Sequence, residues 1–371
     1  MARMRAPRSA LGLVCLLACG SMAVAGCGGG SASTASHVNK EAETGKSRPA
    51  PAASSFPQPE GRNLEEFVKQ EAQVQPTVKV SQSAEAFYPG NERYPFLVLE
   101  KETAKGRAGK EIPDAEVAIY LAKVTPPNPE GKATGAAKGT AAKAEESEPK
   151  QAAIGPFPAR IESLATAPAF QGKTTTEDPE AASVVYSAQL PLPSEGEYRV
   201  VALIKEKGGW AKNSLPTIHV GEFTNIPKPG EKAPRIQTPT AQDVGGDLAK
   251  LSTRVPPDTQ NKVNYADVLG KEPILLLFTT PKFCQSRVCG PVTDVAQQAQ
   301  HEFEGKANFI HMEIYNENDP SQGVRPQVRA FHLPTEPWLF AINREGVVVA
   351  AIEGGFGTQL MDKTVEKVVG E

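Results

Sequence analysis

The run Ile274-Leu275-Leu276-Leu277-Phe278 has no polar interruption. It is bounded by Pro273 on one side and by Thr279-Thr280-Pro281 on the other. A short apolar run with turn residues at both ends fits a strand buried on both faces, so its sheet must be covered above and below. Downstream, Val292, Val295, Ala296, Ala299 and Phe303 recur at helical spacing, and Gly305 closes the segment. The turn between strand and helix carries Cys284-Gln285-Ser286-Arg287-Val288-Cys289-Gly290-Pro291. Two thiols are therefore expected at the mouth of an α/β layer, where redox chemistry is one use and a structural staple is another.

The rest of the chain bounds what this pair can do. Of 371 residues, 32 are Gly and 33 are Pro, which suits a protein of several domains joined by linkers. The net charge of −3 gives no electrostatic case for a nucleic-acid partner. Arg3, Arg5 and Arg8 precede a short apolar stretch, Ala10 to Cys19, and then Val24-Ala25-Gly26-Cys27. The apolar stretch is too short to favour a membrane span and reads as an export signal over residues 1–26. Its end resembles the cleavage site of bacterial lipoproteins. That resemblance implies a diacylglyceryl anchor on Cys27 as the new N-terminus, holding the protein on the outer side of a cell membrane. Ordinary cleavage near Ala25, leaving Cys27 free, is the alternative. Of the 5 cysteines, Cys15 and Cys19 would leave with the signal and Cys27 would carry the anchor. Cys284 and Cys289 then remain together in an oxidising compartment. Loss of the three signal arginines takes the charge to −6, so the lipid alone would hold the protein to an anionic surface.

Residues 27–74 are rich in Gly, Ser, Ala and Pro at their start and read as a tether. Its flexible part, about 33 residues, would span roughly 30 Å. Within this segment Asn63 to Gln73 is compatible with one short helix carrying Leu64, Phe67 and Val68 on a face. Over residues 75–225 the pattern turns to short strands: Thr77–Ser83, Tyr94–Glu100, Glu116–Ala122, Ala159–Leu164, Ser183–Leu190, Tyr198–Lys205 and Thr217–Phe223. This spacing predicts an all-β sandwich of immunoglobulin-like type. Ser194-Glu195-Gly196-Glu197-Tyr198-Arg199-Val200 resembles the tyrosine corner of such folds. Residues 131–152, rich in Ala, Lys, Glu and Gly with no apolar face, are expected as a disordered insertion.

From residue 226 to the C-terminus the chain resembles the redoxin-type thioredoxin-like domains. The resemblance rests on Pro229-Gly230-Glu231-Lys232-Ala233-Pro234, on Asn264 to Lys271 before the apolar strand, and on the cysteine pair after it. It continues through a strand at Asn308 to Tyr315, a short helix at Pro326 to Phe331, a hairpin of Trp338–Ile342 with Val347–Ile352, and a last helix at Thr358 to Val369. The fold class expected is therefore multidomain: an all-β immunoglobulin-like sandwich followed by an α/β thioredoxin-like domain over 226–371. The family also implies a cis-proline facing the cysteines. Spacing from the turn glycine Gly346 puts Pro337 there, with Pro334 as the rival, and sets Glu336 beside the thiols.

The cysteine spacing departs from the C-x-x-C of that family. In one regular helix, residues i and i+5 lie about 8.7 Å apart and about 140° round the axis. This exceeds the ~7 Å reach of a disulfide. Either the first turn unwinds on oxidation or residues 284–289 form a loop, and Gly290-Pro291 would start the helix after Cys289. Two registers remain open: Cys284 as the exposed nucleophile with Cys289 resolving it, or Cys289 at the helix start with Cys284 resolving from upstream. A nearby Glu336 raises a thiol pKa, whereas Lys282 and Arg287 lower it. The catalytic set is thus Cys284, Cys289, Glu336 and Pro337, with protein thiols or disulfides outside the cytoplasm as partners and no cofactor or metal. A binding lipoprotein with a structural Cys284–Cys289 disulfide is the other class of reading. Peroxiredoxins share the spacing but need a Thr where Pro281 stands and a Pro where Leu277 stands. Copper chaperones of the Sco type place a His where Thr335 stands, although two thiolates with His332 nearby could hold Cu(I). His311, in an apolar strand, reads as a core residue. His37, His219 and His301 lack ligand spacing.

Overall fold

The computed structural model describes residues 45–101, 109–124 and 151–371. The export signal, the anchor site Cys27 and all but the last two residues of the expected insertion lie outside them. The described chain starts with a short helix, α1 (Leu64–Glu71), and runs through strands β1 (Ala72–Val74), β2 (Val78–Gln82), β3 (Gly90–Glu100), β4 (Val117–Lys123), β5 (Ile154–Pro158) and β6 (Arg160–Ser163). One turn of helix, α2 (Lys173–Thr176), precedes β7 (Val184–Leu192), β8 (Gly196–Glu206), β9 (Gly209–Ser214) and β10 (Ile218–Val220). The C-terminal part holds α3 (Tyr265–Val268), β11 (Ile274–Thr279), α4 (Cys289–Glu302), β12 (Asn308–Glu313), α5 (Pro326–Ala330), β13 (Trp338–Ile342), β14 (Val348–Glu353) and α6 (Thr358–Gly370).

Among the described residues these strands form three sheets. One is β2-β3-β7-β6, a second is β1-β9-β8-β4-β5 with β10 on β8, and the third is β12-β11-β13-β14. The first two lie face to face over a common core of Val80, Phe96, Val98, Tyr186, Ile119, Leu121, Val200 and Ala202. At the entry to β8 the Tyr198 hydroxyl donates to the Ser194 carbonyl at 2.9 Å and fixes that corner. Strands β1, β5 and β9 have no counterpart among the strands expected from sequence. They are short edge or near-edge strands whose residues alternate too weakly to be recognised without their partners.

The strand pattern predicts a sandwich and says nothing of what covers its outer faces, which the structure supplies. Both sheets are buried on their outer faces too. Leu97, Leu99 and Val185 turn away from the sandwich core and pack with Val292, Val295 and Ala299 of α4 and Met361 and Val365 of α6. On the opposite side Ala118, Tyr120, Val201 and Leu203 are covered by Phe56, Leu64, Phe67 and Val68. The tether expected over 27–74 is therefore corrected: its last third is a packed cover. Asn63 caps α1 by accepting the Glu66 N–H at 3.0 Å, and Glu65 and Glu66 sit in the first turn, where the helix dipole favours negative charge. Phe67 is fully buried, with its ring centroid 4.7 Å from that of Tyr120. Burying one such side chain contributes about 2–3 kcal/mol, enough to hold a helix too short to persist alone.

The third sheet sets β11 parallel to β12 and antiparallel to β13, and β13 antiparallel to β14. Helices α4 and α6 cover one of its faces. The other face packs against Tyr265 and Val268 of α3 and Val328 of α5. This double cover is why Ile274 to Phe278 is apolar throughout. The layers run in order: α1, second sheet, first sheet, α4 with α6, third sheet, α3 with α5. The same helices serve two sheets, so the β-rich half and the C-terminal half share a core. A buried polar joint reinforces it. Arg254 Nε donates to Asp294 Oδ1 at 2.7 Å, and the side chains are 5% and 1% exposed. Arg254 also donates to the carbonyls of Pro256 and Phe170, and the Gly172 N–H donates to Asp294.

Candidate thiol site

Strand β11 ends at Thr279, which like the following Thr280 is fully buried, and residues 281–283 turn the chain toward Cys284. The helix then begins at Cys289 itself, with Val288 as its N-cap and no capping side chain. The expectation that Gly290 would cap a helix starting after Cys289 is corrected by this earlier start. Gly290 instead makes room for a neighbour, because a Cβ there would lie 3.0 Å from Thr175 Oγ1 and 3.3 Å from the Thr174 carbonyl. A glycine lets α2 approach the helix start.

Cys284 stays in the loop, so the two cysteines do not share a regular helix and the separation argument does not keep them apart. The open N-terminus of α4 is served by the cysteine itself: the Cys289 N–H donates to Cys284 Sγ at 3.1 Å. The Ser286 hydroxyl lies 3.3 Å from the same sulfur and 3.5 Å from the Glu336 carbonyl oxygen. The Glu336–Pro337 peptide bond is cis, and Pro337 leads into β13 opposite β11. The structure thus brings Cys284, Cys289, Glu336 and Pro337 together. Pro334, the rival, is not part of a cis bond among the described residues.

The two thiols have opposite electrostatic fates. Cys284 is partly exposed and Cys289 is buried, and both are free. Burial pushes the Cys284 thiol up, but hydrogen bonds from the Cys289 thiol, the Ser286 hydroxyl and the Cys289 N–H outweigh burial and the opposing Glu336 charge, bringing it down to about 7. Burial pushes Cys289 well above the ordinary thiol range, and Cys284 and Glu336 add to the shift. Glu336 is itself raised by burial. Cys284 is thus the more exposed and more acidic of the two sulfurs, and Cys289 the one kept protonated.

The cations expected to lower the thiol pKa are turned elsewhere. Arg287 has left-handed backbone (φ 64°) and sends its guanidinium to the Gly109 carbonyl at 2.9 Å and toward Glu180 at 3.7 Å. Its own carbonyl accepts the Ala182 N–H at 2.9 Å. Lys282 lies 5.4 Å from the centre of the Phe283 ring. Hydrogen bonds, not lysine or arginine charge, set the Cys284 thiol.

Sequence reasoning missed Ser286 and Tyr315. Tyr315 follows β12, its ring meets Phe283 edge-on at 6.2 Å, and its hydroxyl is pushed up by burial and by Glu336, Cys289 and Cys284. Neither residue carries a motif signal, but Ser286 lies between the cysteines, and that position alone marks it as a candidate donor. His332 is exposed, with φ 56°. His311 is fully buried and pairs through Nδ1 with Asp258 at 2.7 Å. Among the described residues no group of three His, Cys, Asp or Glu side chains could hold a metal ion, and no helix is long and apolar enough to cross a membrane.

No protein-family model and no curated protein matches the chain. Among solved structures it is similar to one from Chlorobium tepidum described as a thiol:disulfide interchange protein DsbE. The match has 16% identity and a TM-score of 0.28, covering 39% of this chain and 99% of that one.

Proposed function

We propose that this chain is an extracytoplasmic thioredoxin-like protein that exchanges electrons with protein thiols or disulfides through Cys284 and Cys289. One observation carries the reading: a partly exposed Cys284 sulfur accepts the Cys289 N–H at the start of α4 while Cys289 stays buried beside it. The strand order β12-β11-β13-β14 with helices on both faces is consistent with it. In the reducing direction the Cys284 thiolate attacks one sulfur of a partner disulfide. The other partner sulfur leaves as a thiolate, and a mixed disulfide forms. Cys289 then loses its proton and attacks Cys284 Sγ, which releases the second partner thiol and leaves the Cys284–Cys289 disulfide. Two electrons pass to the partner, and the reverse sequence oxidises a dithiol. The immunoglobulin-like character of the β-rich half and a lipid anchor at Cys27 belong to the same proposal. They rest on the strand pattern and on Val24-Ala25-Gly26-Cys27.

Trapping tests the assignment of roles. In Cys289→Ser the mixed disulfide has no resolving thiol and should accumulate on Cys284 when the protein meets a disulfide-bearing peptide. Cys284→Ser should trap nothing. Equal trapping by both variants, or by neither, removes the exchange reading and leaves a structural pair.

A further inference from the structure

We propose that Ser286 is a positioning residue for the Cys284 sulfur, giving its one hydroxyl proton to that sulfur in the thiolate form and to the Glu336 carbonyl in the thiol form. The inference rests on Cys284 as the attacking sulfur, and it names the side chain that prepares it.

The geometry puts one hydroxyl within reach of two acceptors. Ser286 Oγ lies 3.3 Å from Cys284 Sγ and 3.5 Å from the Glu336 carbonyl oxygen. A hydroxyl has one proton to donate and lone pairs to accept with. When Cys284 carries its proton, the S–H can donate to Ser286 Oγ while the Ser286 O–H points to Glu336. When that proton leaves to solvent, the sulfur can only accept, and the Ser286 O–H swings to it. The distances favour the second arrangement. A contact of 3.3 Å is close for a large sulfur atom, whereas 3.5 Å to a carbonyl oxygen is at the outer edge of hydrogen-bond range. The residues that follow Ser286 are held in place. Arg287 is tied to Gly109 and Ala182, and the Cys289 N–H is committed to the same sulfur.

Other groups facing the sulfur do not supply this donor. Cys289 on α4 contributes its N–H and its thiol, and Glu336 before β13 contributes a charge that opposes the thiolate. Tyr315 after β12 is itself pushed toward its protonated form. Lys282 lies over Phe283 and Arg287 reaches Gly109. Ser286 is thus the one neutral side-chain hydroxyl among the described contacts of Cys284 that can stabilise its charge.

The test is the pH dependence of iodoacetamide alkylation at Cys284, read peptide by peptide by mass in the full chain, for wild type, Ser286→Ala and Ser286→Thr. Removing one charge-assisted hydrogen bond should move the Ser286→Ala midpoint up by about one pH unit, roughly a tenfold loss of thiolate below the midpoint. Ser286→Thr keeps the hydroxyl and should titrate with wild type. Ser286→Gly should follow Ser286→Ala, which guards against an effect of side-chain bulk. An unmoved midpoint in both Ser286→Ala and Ser286→Gly overturns the proposal, as does a Ser286→Thr midpoint that shifts with theirs. Alkylation of the chain after reduction and removal of the reductant reports the thiol whether or not the pair turns over, so this result is independent of the trapping experiment.

Discussion

Removing the Asp294 carboxylate should weaken both halves of the molecule at once. Asp294 sits on α4 between the first and third sheets. It receives Arg254 Nε at 2.7 Å and the Gly172 N–H at 3.0 Å. Its partner is almost equally buried, with side-chain exposures of 5% and 1%. In Asp294→Ala the Arg254 guanidinium keeps its carbonyl acceptors at Pro256 and Phe170 but loses its counter-charge in a site closed to water. Breaking a buried pair from one side costs about 3–5 kcal/mol. With a urea dependence of about 3 kcal/mol per molar or more for a chain of this size, the unfolding midpoint should fall by roughly 1 M. The two tryptophans make the assay specific. Trp210 lies on β9 in the second sheet and Trp338 on β13 in the third. Single-tryptophan variants, Trp210→Phe and Trp338→Phe, report the halves separately. Both should unfold in one coincident transition, and Asp294→Ala should move both midpoints together. Replacing both partners, as Arg254→Met with Asp294→Leu, should recover most of the loss, because an apolar pair leaves no charge uncompensated. Two separate wild-type transitions, or a loss under about 1 kcal/mol, would refute the shared core.

Two further outcomes check the packing account. Phe67→Ala should destabilise by about 3–5 kcal/mol in the same assay, as a large-to-small change in a core does; a residue in a flexible tether would show no change. The buried His311–Asp258 pair should leave a signature in stability against pH. Burial opposes the charged imidazole, but the Asp258 charge and hydrogen bond hold His311 up at about 9 against an ordinary 6.5. A raised pKa contributes stability that is complete below pH 6.5 and lost as the pH rises through 9. Asp258→Asn should flatten that limb of the urea-midpoint curve, and an unchanged slope would show that the imidazole is not charged in the folded state.

Much of the fold is legible in the chain, and what is not has identifiable causes. The apolar run Ile274 to Phe278 announces a doubly covered strand, because a two-sided core removes the alternation that a solvent face imposes. The same signal is present in Val117 to Ala122 and Val200 to Ile204, where consecutive residues are buried. Unbroken apolarity there marks covers on both sides of each sheet. Leu64, Phe67 and Val68 are legible as one face of a short helix, whereas Phe56 is hidden by a Gly/Ser/Pro-rich neighbourhood. At the site, the cysteine pair stands in the sequence, and the positions of Glu336 and Pro337 are what the thioredoxin-like resemblance implies. The helix start is not legible there, because Val288 is drawn into the core between Val185 and Gly355 and carries Cys289 into the helix. Nor is the source of the Cys284 shift: Ser286 stands between the cysteines as a candidate donor, but only the folded loop shows that it and the Cys289 thiol and N–H reach the sulfur.

The central claim is that Cys284 and Cys289 form a pair that cycles while the fold stands. Equilibration of the chain in a graded series of reduced and oxidised glutathione, with acid quenching, alkylation and counting of free thiols on the Cys284 and Cys289 peptides by mass, measures it directly. The account predicts a two-thiol transition within the buffer range, with the far-UV circular dichroism and the urea midpoint of both forms remaining those of a folded protein. A pair that stays oxidised until urea unfolds the chain, or stays reduced throughout, would contradict it.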